Sequence, residues 1–192
     1  MTGLKFEKTQ IREEMLKKRL EIPAEVKLNA DILMMNKLTS LVSFRFAETI
    51  LFFSPIKGEP DVTLAIDTAL KAGKKIAFPK SDTETCIMTY KFINSLSDLK
   101  EGAYGILEPS ENAESYIPSP YKHDICLVPA VCFDKKGFRI GYGKGFYDRF
   151  LSNFGGTAIG LTMSSLLCDS LPKGKYDKAV NIIITEKGVI TL

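Results

Sequence analysis

The 192-residue chain contains no tryptophan and one histidine, His123. A single histidine excludes chemistry that needs several, such as a multi-histidine metal site or a hydrolase built on a histidine relay. Cysteine is sparse too. Cys86, Cys126, Cys132 and Cys168 show none of the two-residue spacing of a zinc knuckle or redox pair. A chain this long folds without disulfides, so reduced thiols are expected. His123 precedes Cys126 by three residues, and in a strand that spacing points to opposite faces, which speaks against a Cys–His catalytic pair. Excess charge is lacking as well. Lys and Arg number 26 against 23 Asp and Glu, a net of +3, too little to make nucleic acid the default partner. No apolar run approaches the ~20 residues that cross a bilayer, and the first ten residues carry charges where a secretory signal is apolar. A soluble cytoplasmic protein with no membrane or nucleic-acid partner is expected.

What is present is ordinary globular material: 45% hydrophobic and 26% charged residues, enough to bury a core without staples. One domain over 1–192 is expected. Residues 5–20 read as a helix with an Ile11, Met15, Leu16 and Leu20 stripe, broken at Pro23. A second helix follows, with Val26, Ala30, Leu33, Leu38 and Leu41 near a 3.6 period. Residues 49–53 are short, apolar and aromatic, which predicts a buried strand. A loop carrying Pro55, Gly58 and Pro60 leads to a third stripe, Val62, Ala65, Ile66, Ala69 and Leu70, capped by Gly73. Residues 75–78 read as a strand stopped by Pro79, which makes a strand–helix–strand unit with a parallel pair. Residues 85–93 read as an edge or hairpin strand, and 95–122, with Pro118 and Pro120, as a long irregular connection. Strands are expected at 125–128, 157–161 and 180–185, a glycine loop at 137–145, a helix at 146–153 and a turn at 186–188. The alternation implies an α/β fold: a three-layer sandwich with a mostly parallel central sheet and helices on both faces.

The segment with most chemical content is the glycine loop. Gly141, Gly143 and Gly145 alternate just before a predicted helix. Glycine permits positive φ and close approach to a ligand, and a helix start points unpaired N–H groups outward. Arg139 and Lys144 add positive charge, and Asp148 adds a carboxylate, a combination suited to nucleotide phosphate with Mg²⁺ nearby. The spacing is neither a Walker A loop nor the GxGxxG dinucleotide fingerprint, and a flexible glycine turn remains the plain alternative.

The segment RIGYGKGFYDRFL at 139–151, preceded by LVPAVCFDKKG, resembles the signature of the 5-formyltetrahydrofolate cyclo-ligases, also called 5,10-methenyltetrahydrofolate synthetases. The resemblance extends over nearly the whole chain. Lys8 and Arg12 match a K-x-x-x-R pair, PIKGEPD a glutamate-bearing loop, GILEP a Gly-Ile-x-x-Pro segment, and LPKGKYD and IIITEKGVI two C-terminal blocks. The resemblance implies ATP and Mg²⁺ as cofactors and 5-formyltetrahydrofolate as substrate. ATP phosphorylates the formyl oxygen, the 10-nitrogen attacks, and 5,10-methenyltetrahydrofolate, ADP and phosphate result. No histidine base or covalent nucleophile is needed.

By the same resemblance, Lys8, Arg12, Arg139, Gly141, Gly143, Lys144, Gly145 and Tyr147 bind ATP. Ser54, Glu59, Tyr142, Phe146 and Tyr147 bind the folate. Lys144, Arg139 and Glu59 carry catalysis, and Asp148 and Asp177 hold the metal. Each has a plainer reading. Lys8 and Arg12 share one helix face and suit a solvated surface. Arg139 suits a surface ion pair, and Asp148 a helix cap or a partner for Arg149. Asp177 suits a solvated loop acid, Glu59 a helix N-terminal acid, and Phe146 core packing. Two positions depart from the family pattern: Tyr176 replaces a usual histidine and Leu166 a common glutamine. The competing functions are an ATP-dependent enzyme of the same fold with another substrate, and a non-catalytic nucleotide- or folate-binding module. A monomer is expected.

Overall fold

The computed structural model describes residues 3–119 and 123–192; Pro120 and Lys122, placed above in the irregular connection, lie outside them. Among the described residues, five α-helices and twelve strands follow in order. Helices α1 (Gly3–Leu20), α2 (Ala24–Ser40) and α3 (Val42–Phe46) precede strand β1 (Thr49–Leu51). Then come α4 (Thr63–Lys71), β2 (Lys75–Ser81), β3 (Met88–Ile93), β4 (Lys100–Glu101) and β5 (Leu107–Glu108). The second half holds β6 (Ile125–Val128), β7 (Cys132–Asp134), β8 (Arg139–Ile140), α5 (Phe146–Leu151), β9 (Thr157–Leu161), β10 (Leu167–Cys168), β11 (Ile182–Ile184) and β12 (Val189–Thr191).

Seven strands make one sheet in the order β12-β11-β9-β6-β1-β2-β3. The five inner strands run parallel, while β3 and β12 close the two edges antiparallel. Buried residues of the central strands alternate between the two faces, as the period of two requires. Ile50, Ile76, Leu127 and Ile159 meet Ala30, Met34 and Leu38 of α2 and Ala65, Ile66 and Ala69 of α4 on one face. Leu51, Ala77, Cys126 and Ala158 meet Phe150 of α5, with Tyr116 of the long connection, on the other. Helices therefore cover both faces, as expected, though unequally. The inner order, renumbered along the chain, is 2-1-3-4-5. It reverses between β1 and β6, so the loops leaving their carboxyl ends diverge and open a crevice.

Several local expectations need correcting. Leu20 is exposed and Arg19 takes the buried position on α1, while Ile11 and Met15 pack on a satellite cluster with Cys132, Ile140 and Leu171. On α2, Val26 and Leu33 are exposed and Met34, Met35 and Leu38 are buried. Apolar residues nearly encircle that helix, so the sequence did not single out the face that meets the sheet. Strand β2 runs through Pro79, which pairs with Tyr90 on β3. Its last partner on β1 is Ala77, so the missing N–H falls where β2 has one neighbour. The expected glycine loop at 137–145 contains β8, which pairs antiparallel with β7. The freely looping part shrinks to 141–145. The helix after it ends at Leu151, and the strands expected at 49–53, 85–93 and 180–185 are each shorter.

A buried carboxylate holds the β7–β8 hairpin. Asp134 is 1% exposed. Its Oδ1 accepts from the N–H groups of Lys136 and Phe138, each at 2.9 Å, and its Oδ2 from Leu171 N–H at 3.1 Å. Asp134→Ala leaves three N–H groups without this acceptor, so a loss of about 3 kcal/mol is expected, read as a lower melting temperature and urea midpoint. A variant as stable as wild type would show that the hairpin does not depend on Asp134.

Candidate active site

The site assembles where the β1 and β6 loops diverge. After β1, the chain turns tightly at 56–59, where Glu59 N–H donates to the Ile56 carbonyl at 2.9 Å. Lys57 (φ 46°) and Gly58 (φ 76°) are both left-handed, the pairing that a mirror-image hairpin turn demands. Such a backbone is unfavourable for lysine by about 1 kcal/mol. The turn folds Glu59 inward to 4% exposure, with its Oε2 accepting from Ile56 N–H at 3.2 Å. Burial pushes the Glu59 carboxyl up to about 7, against the Ile56 N–H and the Arg19 guanidinium, which pull it down. Across the crevice, burial and then the Glu59 charge raise the Tyr142 phenol above its ordinary range. The Lys57 ammonium lies 5.4 Å from the centre of the Tyr142 ring, which ties the glutamate turn to the glycine loop.

In that loop Gly143 and Gly145 have positive φ (92° and 73°). Gly145 is the N-cap of α5, without a side-chain cap bond. Helix α1 crosses the loop: Arg12 Nε donates to the Gly141 carbonyl at 2.6 Å. One turn earlier, Lys8 pairs with Asp177, whose Oδ2 also accepts from Gly174 N–H at 2.7 Å. Arg139 Nη2 donates to Asp148 Oδ1 at 2.9 Å, and its Nη1 to the Lys178 carbonyl at 2.7 Å. Lys178 N–H returns a bond to Asp148 Oδ1 at 3.0 Å. The Arg139 side chain is only 5% exposed, so this is a sheltered pair. The guanidinium also lies 5.8 Å from the centre of the Tyr147 ring.

The structure thus brings Lys8, Arg12, Arg139, Gly141, Tyr142, Gly143, Gly145, Tyr147, Asp148 and Asp177 to one end of the sheet, with Glu59 across the crevice. Three residues stand differently. Lys144 is exposed; its carbonyl accepts from Arg149 Nη1 at 2.7 Å, so Arg149 serves the loop's shape and does not pair with Asp148. Ser54 Oγ donates to the Leu107 carbonyl at 2.5 Å. Phe146 packs against the core on the α5 face. Of the two departures, Leu166 is buried in the core and Tyr176 is exposed.

Some neighbours of the site were passed over in the sequence. Arg19 was one, although spacings of four and seven from Lys8 through Arg12 put all three cations on one side of a helix. Tyr90 was another. It is buried beneath Tyr147, 3.5 Å between hydroxyls, and 3.6 Å from Cys126 Sγ; no sequence spacing announces that contact. Burial pushes the Cys126 thiol up to about 12, and His123 is exposed, in keeping with a site that uses no Cys–His pair.

The description "5-formyltetrahydrofolate cyclo-ligase family" belongs to the family model that matches residues 4–186. A 5-formyltetrahydrofolate cyclo-ligase of Mycolicibacterium smegmatis is 28% identical over 96% of this chain and 97% of its own. The solved structure of Aquifex aeolicus 5,10-methenyltetrahydrofolate synthetase superposes with a TM-score of 0.85 at 32% identity, covering 96% of this chain and 92% of that one. A methenyltetrahydrofolate synthetase from Mycoplasma pneumoniae shares the fold at a TM-score of 0.74 and 23% identity, over 93% and 98% of the two chains. Since the matched span takes in both the turn that buries Glu59 and the loop that Arg12 crosses, the chain belongs to the 5-formyltetrahydrofolate cyclo-ligase family.

Proposed function

We propose that this chain, acting as a monomeric single domain in the cytoplasm, converts 5-formyltetrahydrofolate to 5,10-methenyltetrahydrofolate with consumption of ATP. Family membership supports the reaction. The observation that carries the site assignment is the Arg12–Gly141 bond, which joins the cations of α1 to the glycine loop 129 residues away. Lys8, Arg12, Arg139 and the backbone N–H groups of Gly143 and Gly145 receive the triphosphate, and Lys144, free in solvent, folds onto it. Glu59 and Tyr142 receive the pterin. The Glu59 carboxylate accepts hydrogen bonds from ring N–H groups and orients the formyl group toward the γ-phosphate. Arg139 and Lys144 stabilise charge on the transferring phosphoryl group. Phosphorylation makes the formyl oxygen a leaving group; N10 attacks the formyl carbon, the C–O bond breaks, and phosphate departs. The chain supplies position and charge.

Magnesium fits the residues present. Among the described residues no cluster of three or more carboxylate, thiol or imidazole groups stands ready for a metal, but Mg²⁺ takes one or two carboxylates when phosphate oxygens and water complete its shell. The two bonds to Asp148 fall on Oδ1 and those to Asp177 on Oδ2, which leaves each a second oxygen. Asp148 and Asp177 would hold the ion, which would supply positive charge to neutralise the phosphates.

The decisive experiment follows the near-ultraviolet absorbance of the methenyl product with and without ATP and Mg²⁺; no ATP-dependent signal would overturn the assignment. Asp148→Asn is expected to lower kcat by about 100-fold or more with a small change in melting temperature, and parallel losses would make Asp148 structural. Lys144→Ala is expected to raise the KM for ATP about tenfold; an unchanged KM would remove Lys144 from the phosphates. The Glu59 carboxyl, raised to about 7 by burial, is uncharged below that pH, so kcat/KM for the folate is expected to fall as pH drops through 7. Its raised value favours folding fully below pH 4.5, its ordinary value, and that contribution is lost as pH rises through 7. Glu59→Gln is therefore expected to melt above wild type at pH 8 and level with it at pH 4, while losing turnover. A wild-type acid limb near 4.5 would contradict both expectations.

A further inference from the structure

Arg19 is 6% exposed, and its guanidinium faces neither solvent nor a paired carboxylate. Nη2 donates to the carbonyls of Ala130 and Val131, in the turn between β6 and β7. Its aliphatic stem lies against the glutamate turn, where a Cβ on Gly58 would sit 3.5 Å from Cγ and Cδ. Nε and Nη1 have no hydrogen-bond partner among the described residues, nor has Oδ1 of the buried Asp31. Both residues line a small cavity with Gly58, Pro60, Thr162 and Leu166, with room for roughly one water. A buried arginine kept for stability alone is ordinarily matched by a carboxylate, because desolvating its charge is costly. Asp31 instead spends Oδ2 on Lys27 at 2.5 Å. The charge of Arg19 is left directed at Glu59 and at the Tyr142 hydroxyl, and it acts on both.

We propose that Arg19 is a positioning residue of the folate site: it fastens the turn that carries Glu59 to the turn that follows β6, and it supplies the positive charge that faces this carboxylate. The inference rests on Glu59 serving the pterin. The groups around Glu59 make the role of Arg19 specific. Tyr142 of the glycine loop and Tyr147 of α5 are phenols that burial keeps protonated. The Ile56 N–H is neutral, and Lys57 is engaged over Tyr142. Arg19 is thus the cation that pulls the Glu59 carboxyl down against burial. Without it, the carboxylate that accepts the ring N–H groups is scarcer at neutral pH.

The test uses the full chain as wild type, Arg19→Gln and Arg19→Lys. The carboxyl ¹³C signal of Glu59, assigned with Glu59→Gln, is titrated in each, and initial rates of methenyl formation are measured across the same pH range. Arg19→Gln is expected to move the Glu59 midpoint and the acid limb of kcat/KM upward together by about one pH unit. Arg19→Lys keeps the charge and loses the two-carbonyl grip. Its midpoint is expected to stay near wild type, while kcat/KM for the folate falls about tenfold and the KM for ATP holds. An unmoved Glu59 midpoint in a folded Arg19→Gln protein, or full activity of Arg19→Lys, overturns the proposal; should Arg19→Gln not fold, the lysine variant decides. If the wild type makes no methenyl product, the functional reading fails, and the titration still decides whether Arg19 governs Glu59.

Discussion

Everything in the site follows from one topological constraint: β1 and β6 lie side by side and parallel, yet their onward connections go to opposite faces. A right-handed crossover puts α4 on one face as the chain moves from β1 to β2. The same handedness puts α5 on the other face as it moves from β6 to β9. The two loops therefore part above the strand ends. The crevice needs no special residues of its own, since it is what remains when two right-handed connections leave neighbouring strands in opposite directions. The glutamate turn occupies one lip and the glycine loop the other.

A crevice made this way has weak walls, because each is a loop. The chain strengthens them with polar contacts, several of long sequence reach. Asp134 gathers three N–H groups beneath the β7–β8 hairpin, and Arg12 holds the glycine loop from α1. Ser54 ties the start of the glutamate loop to the Leu107 carbonyl. These bonds suit the place: apolar packing would fill the space a ligand needs, whereas single directional bonds fix a loop from behind.

The sheet was legible in the sequence because its central strands are short and largely apolar; residues 125–128 and 157–161 match β6 and β9 to the residue. The parallel pairing of β1 and β2 followed from the length of the connection between them. The helix faces were less legible. On α2, Leu33 and Met34 are equally apolar, and only the sheet decides which is buried. Pro79 misled because the penalty for proline depends on whether a neighbour stands where the N–H would point. Within the site, the glycine loop and its charges were visible as a local string that already suited a phosphate, and the division of roles between ATP and folate came with a family resemblance. The partnerships were not visible: Lys8 with Asp177 spans 169 residues, and no periodicity reports a contact of that reach. Arg19 escaped because its position reads as one more charge on a charged helix.

The cations around the glycine loop are not bare. Lys8 faces Asp177 and Arg139 faces Asp148, so two of them carry their own counter-ions within the fold. Such a surface throws little field beyond a Debye length and makes a poor trap for stray phosphate or sulfate. It favours guests that bring both signs of charge, because only those release the carboxylate and the cation together and leave neither one stranded. With a charged guest, the lip would work as an ion exchanger already loaded, and its selectivity would lie in what must be traded as much as in what is touched.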